Sequence, residues 1–93
     1  MNTKQYPHPK ELMLSAVYDA LDALGLSIES ANRERGVVVL SPVAGRVRIA
    51  VNAGGGTTEV AVIPEDNSAD ELCRVIADEI SAVIKSCELE ETV

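Results

Sequence analysis

The stretch that decides the fold is VVVLSPVAGRVRIAVNAGGGTTEVAVI, residues 37–63. It contains three apolar runs of strand length, which are separated by PVAG and by the glycines at 54–56. In the middle run Val47, Ile49 and Val51 occupy every second position, and the residues between them are polar or small. Alternation with a period of two is typical of a strand that buries one face. The stretch therefore predicts three strands that are joined by turns.

A fourth strand precedes this stretch. Residues 26–31 read LSIESA and begin with alternating apolar and polar residues, and the turn 32–36 follows them. Gly36 supplies the positive φ that such a hairpin turn favours. Because three short connections join the four strands, we expect an antiparallel meander.

An amphipathic helix is predicted on each side of the strands. Between residues 10 and 24 the apolar side chains recur at helical spacing, and Gly25 ends this helix as a left-handed cap. The second helix runs from about residue 69 to residue 86, and Ser68 with Glu71 fits a capping box at its start. Its apolar stripe consists of Leu72, Val75, Ile76, Ile80, Val83 and Ile84, with Cys73 and Cys87 on the same side.

These elements predict an α+β fold with the order α-β-β-β-β-α. A sheet with one apolar face needs a cover, so we expect a two-layer sandwich in which both helices pack on one face of a four-stranded antiparallel meander. We divide the chain into a flexible N-terminal segment at 1–8, a single α+β domain at 9–87 and a frayed acidic tail at 88–93. A chain of 93 residues is short enough for one such domain.

The charge balance excludes some classes of partner. Eight Lys and Arg against fifteen Asp and Glu give a net charge of −7, which repels nucleic acid and anionic membranes. Four arginines (Arg33, Arg35, Arg46 and Arg48) leave open an anionic ligand, but no aromatic residue accompanies them as a base-stacking platform. No apolar run has the length of a membrane span, and the N-terminus lacks a secretory signal, so we expect a cytoplasmic location.

Residues with catalytic or metal-binding chemistry are sparse. His8 is the only histidine and lies between Pro7 and Pro9, which is a poor setting for a nucleophilic pair. Cys73 and Cys87 lie too far apart along one helix to form a disulfide, and together with His8 they lack metal-ligand spacing. The glycines at 54–56 lead into a strand, not into a helix as in a phosphate loop. We predict no catalytic residue, metal site or cofactor site, which favours a non-enzymatic role without excluding an enzyme.

The face of the sheet turned away from the helices is the candidate interaction surface. The run 37–40 is apolar at both parities, so either Val37 and Val39 or Val38 and Leu40 must face outward. A partly apolar outer face implies a partner, and the simplest partner is a second copy of the chain. The predicted surface consists of Val38, Leu40, Arg46, Arg48, Ala50, Ala61 and Ile63. We expect a self-association or protein-interaction module, either a homodimer or a complex with another protein.

The alternative is a small carrier that binds an apolar ligand between the sheet and the helices. It requires a cavity within the predicted core, although a core of this size normally fills itself with side chains. Its lining would consist of Met13, Val17, Leu21, Ile28, Val47, Ile49, Val60, Ile76 and Ile80.

The element order carries a resemblance to a known type of module. Residues 21–29 read LDALGLSIE and residues 32–38 read NRERGVV, so that a helix ending in Leu-Gly leads to a strand, a charged turn with glycine and a second strand. This pattern resembles the small helix-grip-like α-β4-α modules of uncharacterised bacterial proteins and the C-terminal part of BamC-like lipoproteins. The resemblance covers residues 10–86 and implies a non-enzymatic packing or interaction module. It implies no catalytic residues, and the chain has no lipobox cysteine.

Overall fold

Five strands and two helices make up the protein in a computed structural model that describes residues 2–41, 46–66 and 69–91. The side chains are described up to Cys87. The elements are β1 (Asn2–Tyr6), α1 (Lys10–Ala23), β2 (Ile28–Asn32), β3 (Val37–Leu40), β4 (Val47–Gly54), β5 (Thr57–Pro64) and α2 (Asp70–Glu91). The predicted α+β class is confirmed. The predicted connection 42–45 and the capping residue Ser68 lie outside the described residues.

The strands form one antiparallel sheet with the order β1-β5-β4-β3-β2. Strands β2 to β5 form the predicted meander, because each pairs with the next along the chain. Strand β1 pairs with the far side of β5, so β1 and β2 lie at opposite edges of the sheet. Helix α1 therefore carries the chain across the whole width of the sheet.

The prediction of four strands is wrong, because residues 2–6, which we expected to be flexible, form β1. The segment between Asn2 and Tyr6 is polar and gives no alternating apolar signal. An edge strand needs little apolar surface, because its backbone hydrogen bonds to one neighbour hold it in place. Tyr6 adds the single buried apolar contact of this strand, and it is 6% exposed.

The C-terminus of α1 confirms the predicted cap. Gly25 has φ 71°, the Leu26 N–H donates to the Leu21 carbonyl at 2.9 Å, and the Gly25 N–H donates to the Asp22 carbonyl at 3.0 Å. This pair of bonds is a Schellman motif, which satisfies two carbonyls that the helix end would otherwise leave free. Leu26 packs back against the core.

One buried cluster joins both helices to one parity of the strand residues. It includes Val47, Ile49 and Val51, which confirms the predicted inward side of β4. Helix α1 contributes Met13, Val17 and Leu21, and α2 contributes Cys73, Ile76, Ile80 and Ile84. Helix α2 departs from the predicted pattern at two places. Val75 is 43% exposed, and the helix continues to Glu91 instead of ending near residue 86.

Gly36 marks the closest approach between the β2–β3 turn and β4. Its φ is 67°, and the Val51 N–H donates to its carbonyl at 2.6 Å. A Cβ atom at this position would lie 2.1 Å from the Val51 carbonyl oxygen. The predicted positive φ is thus confirmed, and the close backbone contact is a second reason for glycine at this position.

Candidate functional site

The outer face of the sheet consists of the strand residues that alternate with the core residues, so that their side chains lie on the opposite side of the sheet. Strand pairing arranges its residues in rows across the sheet. One row contains Val37, Ala50, Ala61 and Thr3, and the adjacent row contains Val39, Arg48 and Ile63. On the other side of the first row, Asn52 pairs with Glu59 and Glu59 pairs with Gln5. This register defines a single continuous face.

The predicted surface is wrong at Val38 and Leu40, which belong to the core. They are 0% and 3% exposed, and Val38 pairs with the buried Ile49. Val37 and Val39 therefore point outward and are half-buried. The sequence offered no choice between the two parities, because all four residues of β3 are aliphatic. The pairing register with β4 determines which residues of β3 face the core.

The other residues of the predicted surface keep their predicted side. Arg48 is exposed, and Ala50 and Ile63 are half-buried. Arg46 is exposed as well, but it precedes β4 and lies at the end of the sheet, where its backbone N–H donates to the Asp66 carboxylate at 3.4 Å. The centre of the outer face is thus formed by Val37, Val39, Ala50, Ala61 and Ile63.

Two alanines lie next to each other in this apolar centre. Ala50 and Ala61 pair directly across β4 and β5. Ala61 is only 6% exposed, although no residue of the outer face belongs to the buried cluster that contains the helices. Small side chains at the middle of an aliphatic face let a second sheet approach closely.

Charged residues of opposite sign lie on either side of the apolar centre. Arg48 lies two positions before Ala50 along β4, and Glu59 lies two positions before Ala61 along the antiparallel β5. They consequently lie at opposite ends of the Ala50–Ala61 pair. Within the described residues neither side chain has a hydrogen-bond or ion-pair partner.

Both edges of the sheet carry features that discourage pairing with another strand. The register of β2 shifts between Ile28 and Ser30, which is the signature of a bulge, and all residues of β2 are exposed. On the opposite edge β1 carries Lys4 and is followed by Pro7. Bulges, lysine and proline are devices that keep sheet edges from adding strands. The open face is therefore a better candidate for association than either edge.

A second polar cluster fastens β1 to α2. The Tyr6 hydroxyl and Ser81 Oγ are 2.8 Å apart, and Lys4 Nζ lies 3.5 Å from the same Ser81 oxygen and 5.3 Å from the centre of the Tyr6 ring. These groups line a cleft of about 220 Å³ between β1, β5 and α2. The sequence does not predict this cluster, because residues 1–8 lack an apolar pattern and were expected to be flexible.

The cluster of Lys4, Tyr6 and Ser81 has the residue types of a serine nucleophile site, but its geometry fits a structural role. A serine nucleophile needs a base that takes the hydroxyl proton. The short contact of Ser81 is with a phenol, whereas the lysine contact is at the limit of hydrogen-bond distance. We therefore assign these bonds to the attachment of the edge strand.

The histidine and the cysteines have structural surroundings. The His8 carbonyl accepts a hydrogen bond from the hydroxyl of Thr58, which is the only polar side chain among the buried residues described. Cys73 is buried and Cys87 is half-buried, and both are free thiols. Burial raises the pKa of the Cys73 thiol above 9.0 and so disfavours the reactive thiolate. Within the described ranges, no group of three or more His, Cys, Asp or Glu side chains is placed to hold a metal ion.

Arg33 and Glu34 of the β2–β3 turn make contacts with α1. The Arg33 guanidinium lies 5.6 Å from the centre of the Tyr18 ring, and Lys10 Nζ donates to the Glu34 carbonyl at 2.9 Å. These contacts fix the turn against α1. They favour a local structural role for Arg33 over binding of an anionic ligand.

Side chains occupy the interior that the carrier alternative requires, apart from the cleft between β1, β5 and α2, which Val60 and Ile80 help to line. Eight of the nine residues named for its lining are at most 3% exposed and belong to the core cluster. The ninth, Ile28, is 40% exposed at the edge of the sheet. Met13, Leu21, Ile49, Ile76 and Ile80 are the largest of the side chains that occupy this interior.

Comparison with known proteins adds no family. No protein-family model matches the chain. No curated protein is significantly similar to it. In the part of the chain that the structure describes, no helix is both long and apolar enough to cross a membrane.

Proposed function

We propose that this protein is a non-catalytic module that self-associates through the outer face of its sheet. The observation that carries the proposal is the apolar centre of that face, which consists of Val37, Val39, Ala50, Ala61 and Ile63. Exposed apolar patches on small proteins commonly mark interaction sites, and a twofold pair of identical copies is the commonest soluble assembly. Because both edges of the sheet carry features that discourage strand pairing, the outer face is the favoured contact surface between the two copies.

The proposal takes both helices to cover the opposite face. Two observations support this arrangement: α1 and α2 contact each other, and both contribute to the cluster that contains Val47, Ile49 and Val51. If one helix instead lay on the outer face, the apolar centre would already be covered. The cytoplasmic location and the membership of a helix-grip-like family stay predictions.

Analytical ultracentrifugation of the whole chain tests the proposal, with samples from micromolar to millimolar concentration. We expect a reversible monomer–dimer equilibrium. Val39→Lys puts a charge on the outer face and should shift the equilibrium to monomer, because an unpaired charge in an apolar contact is costly. Val75→Lys is the matched control, because it makes the same change at an exposed valine of α2.

Circular dichroism and thermal unfolding check that both variants fold. A wild-type protein that stays monomeric up to millimolar concentration would overturn the proposal. Equal effects of the two lysine variants would also contradict it, because they would remove the outer face from the contact.

A further inference from the structure

The charges on the outer face are arranged as a twofold contact requires. An isologous interface places the same surface on both copies, so each charged group must meet its opposite after a rotation of 180°. Arg48 and Glu59 lie on opposite sides of the Ala50–Ala61 pair. With about 3.4 Å per residue, they are separated by about 14 Å along the strands, and by about 4.8 Å across one strand spacing.

We infer that two copies pack outer face to outer face around a twofold axis at the Ala50–Ala61 pair, with Arg48 of each copy against Glu59 of the other. This inference rests on the proposed function and names the partner and its geometry. The axis lies in the interface, perpendicular to the line that joins Arg48 and Glu59. A rotation about that axis brings each arginine over the glutamate of the second copy.

This geometry has a consequence for the packing of the two sheets. The line from Arg48 to Glu59 is inclined by roughly 19° to the strands, given the spacings along and across the sheet. The strands of the two copies then cross at about twice that angle, or roughly 38°. Aligned sheets in known sandwiches cross at about 30°, so the charge pairing agrees with ordinary sheet packing.

The size of the face predicts a modest affinity. Five strands span about 24 Å across, and about 20 Å of their length is paired, which gives roughly 500 Å² for each copy. A standard interface buries about 800 Å² on each partner. The two arginine–glutamate pairs therefore contribute an important share of the specificity, because each also opposes incorrect registers.

Charge reversal at these two positions tests the inference in the full chain, with the monomer–dimer dissociation constant measured by ultracentrifugation. Arg48→Glu and Glu59→Arg should each weaken the dimer about tenfold or more, because each variant places like charges together twice in the dimer. The double variant R48E/E59R restores both pairs and should return close to the wild-type affinity. An equimolar mixture of R48E and E59R should form a mixed dimer that is tighter than either variant alone.

The set of charge variants also tests whether a change in net charge alone explains a weaker dimer. The wild-type charge is −7, so R48E has −7 − 2 = −9 and E59R has −7 + 2 = −5. A general charge repulsion would weaken R48E and strengthen E59R, whereas specific pairing weakens both. Lys85→Glu also gives −9 at an exposed position of α2, and it should leave the dimer unchanged.

The outcomes separate this inference from the proposed function. A wild-type dimer that neither single variant weakens would overturn the twofold pairing and leave self-association standing. A mixture of R48E and E59R that gains no affinity would also overturn it, because the rescue must act between copies. A monomeric wild type would overturn both.

Discussion

The Tyr6 hydroxyl lies 2.8 Å from Ser81 Oγ, so a short side-chain hydrogen bond joins β1 to α2 across 75 residues of sequence. The Tyr6 ring itself is buried in the core cluster. The bond thus holds an edge strand that has no other large apolar residue. Tyr6 and Ser81 thus add a side-chain attachment to the backbone pairing of β1 with β5.

We expect Tyr6→Phe to lower the free energy of unfolding by about 1 kcal/mol, the usual net value of one hydrogen bond. Tyr6→Ala should cost about 3–5 kcal/mol, because it also removes a buried aromatic ring. Urea denaturation measures both values. Gln5→Ala, at an exposed position of the same strand, should change stability by less than about 0.5 kcal/mol. If Tyr6→Ala were as mild as Gln5→Ala, the ring would not be part of the core.

The missed strand shows what a periodic pattern can predict. The meander and α1 were predictable, because each buries a repeated set of apolar residues such as Val47, Ile49 and Val51. Strand β1 buries only Tyr6 among polar neighbours, and its stability comes from backbone pairing with β5. Backbone hydrogen bonds do not depend on side-chain type, so no local pattern indicates them.

Gly36 and Gly25 form a matched pair for testing the close contact at β4. Both have a positive φ, at 67° and 71°, but only at Gly36 would a Cβ atom meet another backbone atom. We expect Gly25→Ala to cost about 1 kcal/mol for the left-handed conformation alone. Gly36→Ala should cost more than about 2 kcal/mol, because the turn must also move away from Val51. Urea denaturation of both variants measures the difference, and equal costs would contradict the contact.

The outer face was predictable only in part, for a related physical reason. Alternation placed Arg48, Ala50, Ala61 and Ile63 correctly, since β4 has a polar or small residue at every second position and β5 has Glu59 and Ala61 at two of its alternate positions. Strand β3 is aliphatic throughout, so its parity depends on pairing with β4. A strand that is apolar at both parities is compatible with either register until a neighbour fixes it.

Burial of Cys73 predicts a difference in reactivity between the two thiols. Cys73 is 1% exposed and its raised pKa disfavours the thiolate, whereas Cys87 is half-buried in the last part of α2. Mass spectrometry after alkylation of the native protein should find Cys87 modified first, and Cys73 modified only as fast as the protein unfolds. Fast labelling of Cys73 in the native state would contradict its burial in the core.

The same burial predicts how stability depends on pH. A thiol whose pKa is raised in the folded state stays protonated there, while the unfolded chain releases its proton near the ordinary value of 9.0. The contribution is therefore fully present below pH 9.0 and is lost as the pH rises from that value through the higher pKa of the folded state. Urea denaturation at pH 7 and pH 10, about two units below and about one unit above the ordinary pKa of the thiol, should show a loss of stability at the higher pH in the wild type. Cys73→Ala should reduce that loss, even though the variant is less stable at both pH values because of the cavity. Cys87→Ala serves as the control, and an unchanged pH dependence in Cys73→Ala would remove the thiol as its cause.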